Sequence, residues 1–178
     1  MKEYISDGIF YSLLGGCSVA DWGEKINYYL SNYLFTEDQL YTLAPLAGYY
    51  QWIKISMHQE LSENFIRNFA NHLLWDRLIR YQKNITLDLI REFQDEFDDV
   101  VWKEFCIGKK LHNNVIREWK DKVDWSFVAK FGKFDFNFVK EWKDELKYYI
   151  LEIHTNMELN DQQTKEYIKY LTNYDVGN

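Results

Sequence analysis

Four tryptophans recur along the middle of this 178-residue chain at nearly constant intervals, and this periodicity constrains the fold more than any other feature. They are Trp52, Trp75, Trp102 and Trp125, with spacings of 23, 27 and 23 residues, and Tyr148 stands a further 23 residues on. An apolar residue follows each of the five by three positions: Ile55, Leu78, Phe105, Val128 and Leu151. A fixed period in this range is typical of a tandem repeat in which each unit is one supersecondary element.

A second apolar pattern lies between successive tryptophans and predicts a helix there. It starts at four apolar anchors: Leu61, Ile85, Leu111 and Phe134. Each anchor is followed by apolar residues at offsets of 4, 5 and 8, which after Leu61 are Phe65, Ile66 and Phe69. These offsets lie on one face of an α-helix and do not suit a strand. Each unit is therefore predicted to hold a short helix opened by Trp, a tight turn and a longer second helix.

The residue after each anchor predicts where the second helix begins. In the four units, and in a partial upstream copy anchored at Phe35, this position holds Thr36, Ser62, Thr86, His112 and Asp135. Ser, Thr and Asp accept a hydrogen bond from an unpaired N–H of the first helical turn, whereas His112 is a weak cap and leaves Asn113 as the alternative. Asp124 is expected to cap the first helix of its unit, which Trp125 opens. Each anchor is also matched by an apolar residue five positions later, which is a hydrophobic staple.

Such short helices are not stable alone, because isolated helices below ~12–15 residues are marginal in water. The units must stack to bury their aromatic residues. We therefore predict an all-α fold of short helical-pair repeats stacked as a small α-solenoid with atypical end caps. An irregular helical bundle is the alternative, because bundles also carry apolar helical stripes.

The predicted organisation is one continuous domain with three parts: an N-terminal helical cap at 1–34, tandem helical repeats at 35–151, and a C-terminal capping helix and tail at 152–178. The first part is expected to contain two helices around the break at residues 15–18, the second capped by Ser18 or Asp21. The last part is expected to contain a closing helix from about Asp161 to Tyr174. The tail from Asp175 to Asn178 is expected to be frayed.

The tryptophans and anchors are predicted to form the structural core: Trp52, Trp75, Trp102, Trp125, Leu61, Ile85, Leu111 and Phe134. A ladder of aromatic rings can also stack on nucleic-acid bases, but the helical period and the staple pairing favour a packed core. The formal net charge of -7 argues further against direct nucleic-acid binding, which requires an excess of Lys and Arg.

A recurring cation is the principal candidate binding feature. Six residues after each anchor stand Arg67, Arg91, Arg117 and Lys140. Equivalent positions on stacked helices form a ladder, here called the cation ladder, that can bind acidic side chains or phosphates of a partner. The alternative is that each cation pairs with an acid of the same chain, such as Glu92, Glu118 or Glu141.

Nothing in the sequence predicts catalysis, a metal site or a cofactor. The histidines are His58, His72, His112 and His154, without the i, i+4 spacing of a helical metal site. The loop around Cys17 lacks an identifiable His and acid partner, and the acidic run Asp95–Asp99 is expected to be an exposed turn.

The two cysteines, Cys17 and Cys106, have no metal-type spacing and are expected to be free thiols in a reducing compartment. The N-terminus does not resemble a signal peptide, and no apolar run reaches the length of a membrane helix. These features predict a cytoplasmic protein without membrane contact.

Two segments, WIKISMHQELSENFI at Trp52–Ile66 and IREWKDKVDW at Ile116–Trp125, resemble a tandem repeat seen in proteins of giant DNA viruses and some bacteriophages. That repeat reads roughly W-x-x-I-S-x-x-Q-x-L-S-E-x-F-I-x-x-F-x-D-K-V-D, and the resemblance covers about residues 35–150. It is weaker in the second unit, which has inserted residues, and in the fourth, where Phe134 and Asp135 replace Leu-Ser. The resemblance implies a viral or phage origin and an interaction role, and it carries no activity.

The predicted function is accordingly a non-enzymatic module that binds a protein partner through a solenoid face. A viral inhibitor of a host defence or nucleic-acid-binding protein, and an enzyme with an unrecognised site, are the alternatives. Residues 101–150 carry a net charge of +3 between acidic ends, which suits self-association or an acidic partner, although such patterns also occur on solvated faces.

Overall fold

The computed structural model describes residues 2–15, 19–108, 111–149, 152–153 and 161–174. Helices joined by turns make up the regular structure of this part of the chain, so the predicted all-α fold is confirmed. None of these helices is long and apolar enough to cross a lipid bilayer. The expectations for residues 16–18, Leu151, His154 and the tail from Asp175 to Asn178 concern positions outside the described residues.

The thirteen α-helices in the described part of the chain are short. They are α1 Asp7–Gly15, α2 Val19–Asn32, α3 Glu37–Leu43, α4 Tyr49–His58, α5 Glu63–Asn68, α6 Trp75–Tyr81, α7 Leu87–Phe93, α8 Asp99–Gly108, α9 Asn113–Glu118, α10 Trp125–Phe131, α11 Phe136–Glu141, α12 Lys143–Leu146 and α13 Asp161–Tyr174. Three 3-10 turns follow α3, α7 and α12: Ala44–Leu46, Gln94–Glu96 and Lys147–Tyr149. The closing helix expected from about Asp161 to Tyr174 is therefore confirmed.

The chain divides into two compact units, Met1–Val101 and Trp102–Asn178. The division falls at the tryptophan of the third repeat and not at residues 34 or 151, where the predicted parts of the domain meet. In the first unit α2 packs on α4, and α4 packs on α6. In the second unit α10 packs on α12.

The N-terminal segment contains the two predicted helices, α1 and α2, but α2 begins at Val19. Asp21 therefore lies inside the first turn of α2 and is not its cap, while Ser18 lies outside the described residues. A short extended pairing was not predicted. Ile5 N–H donates to the Leu34 carbonyl at 2.8 Å, and Leu34 N–H donates to the Glu3 carbonyl at 2.8 Å. This pairing ties the start of the chain to the segment that follows α2.

The predicted helix caps are confirmed at five positions. The side chains of these residues accept a hydrogen bond from a backbone N–H of the first turn: Thr36, Ser62, Thr86, Asp124 and Asp135. His112 is the N-cap of α9 and makes no such bond, and α9 begins at Asn113. The alternative in which Asn113 caps a shifted helix is therefore wrong. The sequence pattern located these helix starts because capping depends on residues two or three positions apart.

The predicted helix lengths are wrong. The second helix of each pair, α5, α7, α9 or α11, has 6 or 7 residues, whereas the first helix has 7 or 10. Moreover, α4 and α8 begin three residues before their tryptophans, at Tyr49 and Asp99. The second helix is short because the aromatic residue eight positions after the anchor leaves the α-helical region. At Phe69, for example, φ is -122° and ψ is 21°.

That aromatic residue turns onto the tryptophan of the same pair. The ring centroids of Trp52 and Phe69 lie 5.4 Å apart, and the pairs in the next three repeats measure 4.9, 6.1 and 5.2 Å: Trp75–Phe93, Trp102–Trp119 and Trp125–Trp142. Aromatic pairs at these distances contribute ~0.5–1.5 kcal/mol beyond the burial of their area. An aromatic contact thus joins the tryptophan of each first helix to the end of the second helix of the same pair.

The anchors and most of the tryptophans lie in the core of their unit. Buried among the predicted core residues are Trp52, Trp75, Trp102, Leu61, Ile85, Leu111 and Phe134. Trp125 differs from Trp52, Trp75 and Trp102 because it is only half-buried, and its partner ring Trp142 is half-buried as well. Tyr148, at the position of a fifth tryptophan, is 79% exposed and lies in a 3-10 turn. The buried aromatic contacts of the repeat tryptophans therefore do not extend to Tyr148.

Buried glutamines tie successive helical pairs of the Met1–Val101 unit together. Gln59 Nε2 donates to the carbonyls of Leu30 at 2.7 Å and Tyr33 at 2.9 Å, and Gln59 Oε1 accepts from Phe35 N–H at 2.8 Å. Gln82, located 23 residues later, donates through Nε2 to the carbonyls of Ser56 at 3.0 Å and Gln59 at 2.7 Å. The side chains thereby satisfy carbonyls that the ends of α2 and α4 leave unpaired.

A buried side chain four residues after the tryptophan also meets the next helical pair. Ser56 Oγ accepts from Leu74 N–H at 3.1 Å, at the start of α6. Cys106 holds the equivalent position after Trp102 and accepts from the backbone N–H of Asp124, at the start of α10. Cys106 is fully buried, and burial raises the pKa of its thiol to about 11. The free thiol expected from the sequence is therefore confirmed for Cys106.

We expect Leu61→Ala and Leu111→Ala each to lower the free energy of unfolding by ~2–5 kcal/mol, because each removes a side chain that is 1% exposed and leaves a cavity. Urea unfolding followed by far-UV circular dichroism measures the change. Leu46→Ala, at a residue that is 56% exposed, is the control and should change stability by less than ~0.5 kcal/mol. Equal effects of the three substitutions would contradict the assignment of the anchors to the core.

We expect Cys106 to resist alkylation by iodoacetamide at about pH 8, because the reactive species is the thiolate and burial keeps the thiol protonated. The Cys17→Ser variant isolates this thiol, and mass spectrometry measures its labelling rate against the same protein in denaturant. The raised pKa also means that the contribution of Cys106 to stability is complete below its ordinary pKa of 9.0 and declines as the pH rises toward about 11. Equal labelling rates in the folded and denatured protein would contradict the burial.

Candidate interaction surface

The four residues of the cation ladder lie on the second helices of their pairs and are exposed: Arg67, Arg91, Arg117 and Lys140. In the Met1–Val101 unit, Arg67 Nε donates to Glu92 at 2.8 Å, and Arg67 Nη2 lies 3.1 Å from a carboxylate oxygen of Glu63. Arg91 Nη1 lies 2.6 Å from Asp88 Oδ1, one turn earlier on α7. Both arginines are therefore ion-paired within their own unit.

The same arrangement holds in the Trp102–Asn178 unit. Arg117 forms a two-point contact with Glu141: Nε donates to Oε1 at 2.8 Å, and Nη2 donates to Oε2 at 2.6 Å. The hydrogen bond from Arg117, followed by its charge, lowers the pKa of the Glu141 carboxyl. Lys140 Nζ lies 3.4 Å from Glu166 and 4.2 Å from the ring centroid of Phe136.

These contacts favour the intramolecular interpretation of the cation ladder. Three of the four cations meet an acid 24 to 26 residues further along the chain, which is one repeat length. A partner that bound the ladder would have to displace carboxylates already held at 2.6 to 3.4 Å. The ladder therefore links helical pairs within each unit.

The other polar candidates occupy structural positions. His72 stacks on Trp52 with a centroid distance of 5.2 Å, His58 ends α4, and His112 is an N-cap. The acidic run Asp95–Asp99 extends from the 3-10 turn after α7 to the first residue of α8, and most of its side chains are exposed. In the described ranges, no group of three or more His, Cys, Asp or Glu is placed to hold a metal ion.

An exposed apolar patch precedes and opens α4, and it consists of Leu46, Tyr49 and Tyr50. Their side chains are 56%, 67% and 70% exposed, respectively. The rings of Tyr49 and Tyr50 contact each other edge to face, with centroids 5.8 Å apart. This set is called the tyrosine patch below.

The backbone that carries the tyrosine patch is held by specific hydrogen bonds. Gly48 is the N-cap of α4, and its N–H donates to Gln51 Oε1 at 3.0 Å. Gln51 Nε2 in turn donates to Asn27 Oδ1 on α2 at 3.0 Å. A Cβ at Gly48 would approach Gln51 Oε1 at 3.2 Å, so glycine suits this close contact. The two tyrosines therefore start a helix whose position is set by its neighbour.

The sequence carries a signal for the tyrosine patch that the repeat pattern does not reveal. The fifteen residues from Gln39 to Ile53 include no charged side chain, and adjacent tyrosines stand near their end. Charge depletion together with tyrosine enrichment characterises the centre of many protein interfaces. The tryptophan period includes Trp52, which lies in the same segment, and it predicts only that Trp52 is buried.

No known protein family, curated protein or solved structure shows significant similarity to this chain. The resemblance to viral tandem-repeat proteins therefore stays an expectation drawn from the two quoted segments.

We expect Arg117→Gln to raise the pKa of the Glu141 carboxyl toward its ordinary value, because the hydrogen bond and charge that stabilise the carboxylate are removed. Carbon-detected NMR titration of the glutamate side chains measures the shift. The pair stabilises the folded state at neutral pH, and this contribution is lost as the pH falls through the lowered pKa of Glu141. Arg67→Gln, which removes a cation paired with Glu92, is the control. An unchanged titration of Glu141 in Arg117→Gln would contradict the two-point contact.

Proposed function

We propose that this protein is a non-enzymatic interaction module that binds a protein partner through the tyrosine patch. The observation that carries this proposal is the exposure of Leu46, Tyr49 and Tyr50 within a charge-free segment. Exposed apolar side chains that cluster in this way are typical of interaction sites.

The chemistry of tyrosine supports this role. A tyrosine ring buries a large apolar area while its hydroxyl keeps a hydrogen-bond partner, and the side chain loses little conformational entropy on binding. The bonds of Gln51 to Gly48 and Asn27 hold the start of α4 before a partner arrives. A surface that is ordered in advance loses less entropy on association, which strengthens binding.

We further propose that the helical pairs stack as an α-solenoid, as the repeat predicts. Bonds between side chains one repeat apart support this arrangement. Ser62 Oγ donates to Glu37 at 2.8 Å, and Thr86 Oγ1 donates to Glu63 at 3.0 Å. The cap hydroxyls of α5 and α7 thereby also bond to the preceding second helix. Stacked pairs of this kind present long surfaces that suit protein binding.

The same proposal includes the viral or phage origin, which depends on the resemblance of Trp52–Ile66 and Ile116–Trp125 to the tandem repeat. It also includes action in the cytoplasm, which depends on the two cysteines without metal-type or disulfide spacing. A virus-encoded module of this kind would act on a protein of the infected cell.

The test compares the double variant Tyr49→Ala/Tyr50→Ala with the wild type. A partner captured from host-cell lysate by the wild type is purified, and its dissociation constant is measured by calorimetry. We expect the double variant to weaken binding at least tenfold, because central aromatic residues commonly contribute more than ~1 kcal/mol each.

The matched control is Tyr11→Ala/Tyr148→Ala, which also removes two exposed tyrosines. It should bind like the wild type, and both double variants should keep the wild-type melting temperature. Equal binding by the two variants, or the absence of any partner with measurable affinity, would contradict the proposed function.

A further inference from the structure

A cleft of about 620 Å³ lies in the Met1–Val101 unit beside the carboxyl ends of α4 and α6. Its volume falls in the range of small-molecule sites, which is ~300–1,000 Å³. Leu34, Met57 and Tyr81 form an apolar part of its wall, and Lys2, His58 and Lys83 contribute a basic part. The cleft is separate from the tyrosine patch.

The ammonium group of Lys2 is the unusual feature of this cleft. Its Nζ is buried and has no hydrogen-bond acceptor among the residues that the structure describes. Lysine side chains ordinarily extend their ammonium group into water, and a buried charge without a partner is unfavourable. Burial, followed by the charge of Lys54, lowers the pKa of Lys2. The positive charge of Lys54 therefore makes the buried ammonium ion of Lys2 still less favourable.

Further cations lie in and beside the cleft. Lys54 and His58 lie one turn apart on α4, and burial followed by the charges of Lys2 and Lys54 lowers the pKa of His58. Lys83 lines the cleft from the segment after α6, and Glu60 is the acid among the lining residues. Glu60 is exposed and accepts a hydrogen bond from Tyr4 at 3.4 Å. Among the lining residues, Lys2 and Lys83 against Glu60 leave an excess of about one positive charge. Lys54 does not line the cleft but is close enough to lower the pKa of both Lys2 and His58, so it adds a second positive charge in a unit that is acidic as a whole.

The amides in the cleft are already engaged. Gln59 and Gln82 donate their Nε2 hydrogens to main-chain carbonyls, and Asn84 Nδ2 donates to the Leu61 carbonyl. Recognition of a ligand would therefore depend on the charged groups and on the apolar wall, with the amides forming a fixed base.

We propose that this cleft binds a small molecule carrying a phosphate monoester, whose dianionic group is held by Lys2 with Lys54 and Lys83 nearby. A dianion matches the local excess of positive charge better than a single carboxylate does. The cleft is also larger than a phosphate ion, which leaves room for an organic group against Leu34, Met57 and Tyr81. Rotation of the flexible Lys2 side chain would bring its ammonium group to the phosphate.

The experiment measures binding of inorganic phosphate, AMP and adenosine by calorimetry at constant ionic strength. We expect saturable binding of phosphate with a dissociation constant below about 10 mM, tighter binding of AMP, and no binding of adenosine, which lacks the phosphate. Lys2→Met and, separately, Lys54→Met should weaken binding of AMP at least tenfold. Bound ligand should also raise the melting temperature of the wild type.

Lys25→Met is the matched control, because it removes one exposed lysine of the same unit that does not line the cleft. It should bind AMP like the wild type. The proposal would be overturned if neither phosphate nor AMP bound saturably, or if folded Lys2→Met and Lys54→Met bound AMP like the wild type. Binding of AMP no tighter than binding of phosphate would overturn the role of the apolar wall.

Discussion

The hydrogen bonds of Gln59 hold the first helical pairs together, and the surfaces described above depend on them. One buried amide pairs with two carbonyls at the end of α2 and with the N–H of Phe35. Leaving a buried polar group unpaired costs ~1–3 kcal/mol, so loss of this side chain would affect several groups at once. Gln82 repeats the contact 23 residues later against the end of α4. The two glutamines thereby set the positions of α2, α4 and α6, which carry the tyrosine patch and border the cleft.

The aromatic pairs act inside each helical pair, where the glutamines act between pairs. The aromatic residue at the end of each second helix leaves the helical conformation and places its ring against the tryptophan of the same pair. This contact explains why the second helices have only 6 or 7 residues. It also uses the most conspicuous side chains of the sequence for packing. The side chains that remain for a partner are therefore others, above all Tyr49 and Tyr50.

The charged side chains also differ in whether an opposite charge lies close to them. Arg67, Arg117 and Lys140 stand opposite carboxylates one repeat away, so their fields are largely compensated at short range. Exposed pairs of this kind contribute modestly to stability, but they leave little free charge for a partner. Lys2 differs because its ammonium group is buried and the charge that acts on it most strongly is another cation. An acidic protein thus carries a localised positive site, which its net charge does not reveal.

The sequence by itself determined the all-α class, the helix caps at Ser62, Thr86 and Asp135, and the buried anchors such as Leu61 and Leu111. These features depend on residues within about one or two turns of each other, and local spacing records them directly. Only the tertiary structure decided the partners of Gln59 and Gln82, the pairing of Arg67, Arg117 and Lys140 with acids one repeat away, the half-burial of Trp125 and the basic cleft around Lys2. Each of these joins groups that are 23 or more residues apart, or depends on how completely neighbouring helices cover a side chain. Such contacts depend on how helices pack, and the local spacing of residues does not specify that packing.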